Sequence, residues 1–78
     1  MFEVAVLDIK TTSVIFKDNT LIVVLPGEDG EMTVLDFHQP FLSTLKKGTV
    51  QIDGLKMRIK HGIAGMKDNG LTILVEKV

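Results

Sequence analysis

The fold is indicated most directly by the stretch TVQIDGLKMRIK, residues 49–60. Apolar and polar side chains alternate on both sides of Asp53-Gly54, a dipeptide favoured in two-residue type I′ turns. Pairing the two arms across this dipeptide places Ile52 opposite Leu55, with one face apolar and the other polar or cationic. A slip of one residue would exchange the two faces. The stretch therefore predicts a β-hairpin with a firmly specified register.

Segments before the hairpin also predict strands. The run LIVVL, residues 21–25, is apolar on both faces, which is typical of a strand covered on both sides. Pro26 is expected to end this strand, because proline cannot donate a hydrogen bond to a sheet ladder. Residues 26–30, PGEDG, then predict a loop. Residues 41–47 are interpreted as a strand rather than as a single helical turn.

The segment after the hairpin predicts a second turn between two strands. Asp68-Asn69-Gly70 is a turn sequence in front of the apolar segment 71–75. Gly62 and Gly65 interrupt the preceding strand, which indicates a β-bulge or the close approach of another backbone. His61 is expected to continue the apolar face of the hairpin as a packing residue at the strand end. Seven or more short strands, with no stretch of helical period, predict an all-β sandwich or small barrel.

Composition limits the classes of function. The 78 residues, 45% of them hydrophobic, suffice for one small domain, residues 1–78, and argue against disorder. A net charge of −1 and four Phe as the only aromatics argue against a nucleic-acid partner. The absence of Cys excludes disulfides and thiolate metal sites. We expect no signal peptide and no direct membrane insertion, because the N-terminal segment is acidic and the longest apolar run is 21–25.

No group of residues matches a known reactive motif. Glu28, Asp29 and Glu31 are close in sequence, but they lack the alternating ligands and late bidentate Glu of a calcium loop, and a solvated turn is favoured. The loop PGEDG also lacks the Gly-Lys-Ser/Thr ending of a phosphate loop. We therefore predict no catalytic residue, no metal site and no cofactor.

Two features are candidates for protein contact. Lys56, Arg58 and Lys60 form a cationic stripe, which we interpret as a solvated outer face, with an acidic protein partner as the alternative. His38 lies beside Phe37 in a loop predicted from composition, and loop residues of this kind are candidates for contact with a partner.

Several stretches together resemble the epsilon subunit of F-type ATP synthases. The stretches VLPGEDGE (24–31), VL (34–35) and HQPFLSTLK (38–46) keep the spacing of that family without a gap. Three later segments also match the family: 48–52, 61–66 and 69–74. The resemblance therefore covers nearly the whole sequence, and the combination is far more specific than any single segment.

The sequence departs from the family pattern mainly around His38. Asp36-Phe37 stands where the family usually has Pro-Gly, and Gln39 stands where it usually has Ala. Thr33 and His61 each replace a usual Gly. Replacing Pro and Gly changes the backbone freedom of the loop that carries His38.

The resemblance implies a flattened antiparallel β-sandwich of short strands joined by tight turns. It also implies a non-catalytic central-stalk subunit that links the γ subunit to the membrane c-ring and couples ion flow to ATP synthesis. By matching positions, Glu31 and His38 are expected to face the c-ring, and Leu42 and Ser43 the γ subunit. The expected location is the cytoplasmic face of a bacterial inner or plasma membrane, held there peripherally through the complex.

The sequence also leaves other functions open. A stand-alone β-sandwich that binds another protein partner is the alternative, and an enzyme is the least supported reading. The family continues into two C-terminal helices, whereas the sequence stops at Val78, so we expect coupling without inhibition by those helices and without nucleotide sensing. The coupled ion, H⁺ or Na⁺, is left open.

Overall fold

The alternating sequence forms eight strands. The computed structural model describes residues 1–78, and its strands are β1 (Phe2–Asp8), β2 (Val14–Thr20), β3 (Ile22–Gly27), β4 (Gly30–Leu35), β5 (Phe41–Leu45), β6 (Gly48–Ile52), β7 (Leu55–Lys67) and β8 (Gly70–Lys77). There is no helix, and so none that could span a bilayer. The all-β prediction is confirmed, including the strand over 41–45.

Hydrogen bonds connect all eight strands into one sheet in the order β2-β1-β8-β7-β5-β3-β4, with β6 joining β3 and β7. The long β7 pairs with β6 through its first half and with β5 through its second half. This double pairing folds the sheet into two layers: β4, β3 and β6 in one, and β2, β1, β8 and β5 in the other. All strand pairs are antiparallel except β1 and β8, which are parallel.

The core lies between the two layers and forms one cluster. Its fifteen buried apolar residues are Phe2, Val4, Val6, Val23, Leu25, Val34, Leu45, Val50, Ile52, Ile59, Ala64, Met66, Leu71, Ile73 and Val75. Each large side chain contributes about 1.5–3 kcal/mol when fully buried. Because a domain's net stability is only about 5–15 kcal/mol, the inward face of any one strand is essential.

The central hairpin has the predicted register, with Ile52 opposite Leu55. The predicted type I′ turn is wrong, however. That turn requires positive φ at both central residues, whereas Asp53 has a φ of 50° and Gly54 does not lie in the left-handed region. The physical reason is tertiary: Asp53 is hydrogen-bonded to the corner between β2 and β3, where its backbone N–H donates to the carbonyl oxygen of Ile22 at 3.0 Å.

Two expectations about β3 need correction. Its residues are buried on one face only, at Val23 and Leu25, while Leu21 and Ile22 are exposed. The strand also continues through Pro26 to Gly27. Pro26 is tolerated because its carbonyl oxygen accepts the N–H of Lys46, which directs its backbone polar groups away from β4. Its missing N–H therefore removes no hydrogen bond from the β3–β4 ladder.

A β-bulge in β7 changes which side chains point inward. The register with β8 shifts between Ile59 and His61, so the buried positions are odd-numbered before the bulge and even-numbered after it. His61 is consequently exposed, and its predicted packing role is wrong. Gly62 confirms the predicted close approach, since a Cβ there would lie 2.5 Å from the carbonyl oxygen of Leu74.

Candidate protein-docking surfaces

The loop of residues 36–40, between β4 and β5, is bound to the turn between β7 and β8. Asn69 makes both links: its Oδ1 accepts the N–H of Phe37 at 2.8 Å, and its Nδ2 donates to Asp36 Oδ1 at 2.8 Å. Asp68 and Asn69 have φ values of 52° and 58°, as a two-residue type I′ turn requires. Hydrogen bonds from the N-terminal ammonium and from Asn69 lower the pKa of Asp36.

His38 lies in this loop and is exposed. Its ring contacts Phe41 edge to face, with ring centroids 5.3 Å apart, and its Nδ1 lies 2.9 Å from the carbonyl oxygen of Gln39. Phe41 packs in turn against the core. The imidazole is therefore oriented by the fold, and its Nε2 has no hydrogen-bond partner within the chain.

Glu31 is exposed near the start of β4, opposite Pro26, and makes no salt bridge within the chain. His38 follows the other end of the same strand, so the structure does not bring the two predicted c-ring-facing residues into contact. The part of β4 that lies between them, from Glu31 to Leu35, spans roughly 13 Å at the usual rise of a strand. Because β4 ends the strand order, both residues flank a free sheet edge.

Leu42 and Ser43, predicted to face the γ subunit, are neighbours in β5 and point to opposite faces of the sheet. Leu42 is 80% exposed, which is unusual for a leucine in a strand paired along its length. Ser43 is half-buried, and its hydroxyl donates to the carbonyl oxygen of Thr44 at 3.2 Å. Leu42 is therefore the better placed of the two for a large apolar contact.

The outward face of the layer containing β1 and β8 carries an apolar strip that crosses the strands. We define the apolar strip by the residues Val14, Leu7, Leu74, Ile63 and Leu42. The first four are successive partners across the strands, whereas Leu42 lies diagonally to Ile63, because Leu42 pairs with Gly65 and Thr44 pairs with Ile63. Leu7 lies beside Leu74, and Leu74 lies opposite Ile63, which is 38% exposed. A row of apolar side chains on an outer sheet face is typical of a protein-contact surface.

A charge cluster borders the same layer. The carboxylate oxygens of Glu76 lie 3.6 Å from the side-chain nitrogens of Lys10, Lys60 and His61. Burial alone would raise the pKa of Glu76, but the charges of Lys10, Lys60 and His61 outweigh it and lower the pKa. The cluster joins the β1–β2 loop to β7 and β8. No group of three or more His, Cys, Asp or Glu residues is placed to hold a metal ion.

The comparisons with known proteins identify this arrangement of strands. A family model described as "ATP synthase, Delta/Epsilon chain, beta-sandwich domain" matches residues 3–78. The chain belongs to this family. The match covers all eight strands except the first residue of β1, and the resemblance to epsilon subunits is confirmed.

Several ATP synthase epsilon chains from bacteria are relatives in sequence. The ATP synthase epsilon chain of Maricaulis maris (strain MCS10) is 40% identical over 67 residues, which are 81% of this chain and 50% of that relative. The ATP synthase epsilon chain of Caulobacter vibrioides is 38% identical over 66 residues, 80% of this chain and 77% of that relative. The chain spans about half the length of several other curated relatives that it matches.

A solved structure shares the fold. A chain in the central stalk/c-ring structure of the Tetrahymena thermophila mitochondrial ATP synthase superposes with a TM-score of 0.78 and 13% identity, covering 96% of this chain and 63% of that one. At this identity the likeness shows the fold alone.

Within this delta/epsilon family domain, sequence reasoning missed the apolar strip and the Glu76 cluster. The sequence did contain a sign of the strip. Both β1 and β8 have uninterrupted apolar runs, AVL at 5–7 and ILV at 73–75, so each strand carries apolar side chains on its outward face as well as on its inward face. Only the strand order shows that these outward residues are aligned. The Glu76 cluster had no local pattern, since its residues come from three separate elements.

Proposed function

We propose that the chain is a non-catalytic central-stalk subunit of a rotary F-type ATP synthase, linking the γ subunit to the membrane c-ring. The observation that carries this proposal is the family match over residues 3–78. The bacterial relatives support a peripheral position at the cytoplasmic face of the membrane, held through the complex. Its role would be mechanical: the subunit couples ion flow to ATP synthesis by keeping the stalk fixed to the ring.

The apolar strip supports the γ-facing part of the proposal. Leu42 and Ile63 expose apolar surface on neighbouring strands, and the Glu76 cluster gives the same layer a polar border. An apolar centre with a polar rim is the usual composition of a stable protein interface. Ser43, also expected to face γ, points to the other face of β5 and is half-buried, so the strip supports this role for Leu42 and not for Ser43.

The free edge of β4 supports the ring-facing part. Glu31 carries a charge unpaired within the chain at one end of this edge, and His38 offers a free ring nitrogen beyond the other. Groups of this kind make charge-assisted hydrogen bonds with polar or cationic loops. The two residues would act as separate contacts along one edge rather than as one cluster.

Leu42→Asp tests the γ-facing proposal by co-purification with the cognate γ subunit. Wild type is expected to co-purify, and the variant to bind at least about tenfold more weakly, because it would bury a charge in an apolar interface. Leu55→Asp is the matched control: Leu55 is also an exposed strand leucine, but it lies outside the strip, so binding should persist. If folded wild type does not bind γ, the linking role is wrong and a stand-alone binding module becomes the better description.

A further inference from the structure

Phe37 combines an exposed aromatic side chain with an unfavourable backbone conformation. Its side chain is 82% exposed, more than any other large apolar residue of the chain. Its φ is 57°, in the left-handed region. The other non-glycine residues with positive φ are all polar: Thr12, Asp53, Asp68 and Asn69. Polar side chains of the Asn/Asp type compensate for this conformation by local hydrogen bonding, and Phe cannot.

Neighbouring groups hold the backbone of Phe37 in place. Its N–H donates to Asn69 Oδ1 at 2.8 Å, across 32 residues of sequence. The next N–H, that of His38, donates to the carbonyl oxygen of Leu35 at 3.2 Å. Asp36 on the other side accepts the Asn69 amide. Three consecutive residues are thus fixed by hydrogen bonds, so the phenyl ring projects from a constrained loop.

The fold gains nothing evident from this side chain. Phe37 is neither in the core cluster nor packed against it, and the chain's one aromatic pair is His38 with Phe41. Strained residues held by their surroundings are concentrated at functional sites. A preorganised aromatic side chain binds with little loss of conformational freedom and removes a large apolar area from water.

We propose that Phe37 is an aromatic anchor that inserts into an apolar socket between the polar loops of the c-ring. This inference rests on the proposed function, because it assigns to Phe37 the surface already assigned to its neighbour His38. It adds a residue and a kind of contact: burial of a fixed aromatic ring beside the polar contacts of Glu31 and His38.

The charges around Phe37 favour a protein socket over a lipid surface. The charged groups of this loop and of the adjoining turn are Asp36, Lys67, Asp68 and the N-terminal ammonium bound to Asp36, which together carry no excess of positive charge. Attachment to an anionic membrane surface relies on clustered Lys and Arg. One aromatic ring without such a cluster is a weak membrane anchor, whereas it can dominate a protein interface.

The test measures the affinity of the full chain, bound to its cognate γ subunit, for the cognate c-ring in lipid nanodiscs. Wild type is compared with two variants at position 37. Phe37→Gly removes the ring but suits the left-handed backbone, so its thermal unfolding midpoint should be unchanged or higher. We expect this variant to bind the ring on the order of 30-fold more weakly, as for other interface hot spots. Phe37→Leu, which keeps an apolar side chain, should recover part of the loss.

Asn69→Gly tests whether Phe37 must be held in place. It keeps a residue that tolerates positive φ at position 69 but removes both side-chain links to the loop. Ring binding should weaken with Phe37 present and change little in the Phe37→Gly background. Equal effects of Asn69→Gly in both backgrounds would contradict a positioning role acting through Phe37.

The outcomes separate this inference from the proposed function. If wild type binds the ring and Phe37→Gly binds equally well, the anchor is overturned and the ring contact stands. If the wild-type complex binds the ring no better than γ alone, the proposed ring contact and the anchor both fail. If the Phe37 dependence is the same on nanodiscs without a ring, the occupant is the lipid surface and the protein socket is wrong.

Discussion

At the residue scale, Asp53 joins the β6–β7 turn to the corner between β2 and β3. Its Oδ1 accepts the N–H groups of Leu21 and Ile22, each at 3.2 Å. The hydroxyl of Thr20 and these two N–H groups lower the pKa of Asp53, against the opposing effect of burial. One carboxylate thus satisfies two backbone donors at a corner where the chain passes from one layer to the other.

Asp53→Asn should destabilise the chain more at pH 7 than at pH 2. The pKa of Asp53 is lower in the folded state, so its carboxylate stabilises the fold fully above the unfolded pKa, about 4, and loses this effect as the pH falls through the folded pKa. Urea unfolding midpoints of both proteins, measured from pH 7 to pH 2, should therefore converge at low pH. Asp29→Asn is the control, because Asp29 lies in an exposed turn and accepts no hydrogen bond within the chain. A constant difference between wild type and Asp53→Asn across this range would contradict the assignment.

At the element scale, β7 connects the two layers, and its bulge allows one strand to serve both. The bulge between Ile59 and His61 changes the inward parity, so Ile59 contributes to the core before it, and Ala64 and Met66 after it. Immediately after the bulge, Gly62 passes so close to β8 that no side chain fits. A side chain at position 62 would therefore force β7 and β8 to move apart.

Gly62→Ala should lower the free energy of unfolding by about 1–3 kcal/mol, the range for overpacked sites. The added Cβ would meet the carbonyl oxygen of Leu74 at 2.5 Å, a backbone atom that cannot rotate away. Gly54→Ala is the matched control: a Cβ there has no neighbour within 4 Å and φ is not in the left-handed region, so the change should be under about 1 kcal/mol. Urea denaturation measures both, and equal effects would show that the close approach at Gly62 is not tight.

At the scale of the whole molecule, local sequence patterns predicted most of the strands but not the contacts between distant elements. The register of Ile52 opposite Leu55 followed from alternation, because only one register buries the apolar face. The turn at Asp53, the continuation of β3 through Pro26 and the exposure of His61 did not follow, because each depends on a residue distant in sequence or on the bulge. The same limit applies to the docking surfaces. Leu42 was selected by resemblance, and His38 by its loop sequence and then by resemblance, whereas the apolar strip and the bonds between Phe37 and Asn69 required the three-dimensional arrangement.

In the proposed function, one domain contacts γ and the c-ring at the same time. The chain contains no cysteine, so each introduced cysteine is the chain's only reactive thiol. The most direct measurement places a thiol-linked photo-crosslinker at Leu42→Cys, at Glu31→Cys or at Leu55→Cys in the assembled ATP synthase. We expect crosslinks from position 42 to γ and from position 31 to the c subunit, with neither from position 55. Normal assembly in which positions 42 and 31 crosslink to neither subunit would contradict the proposed function.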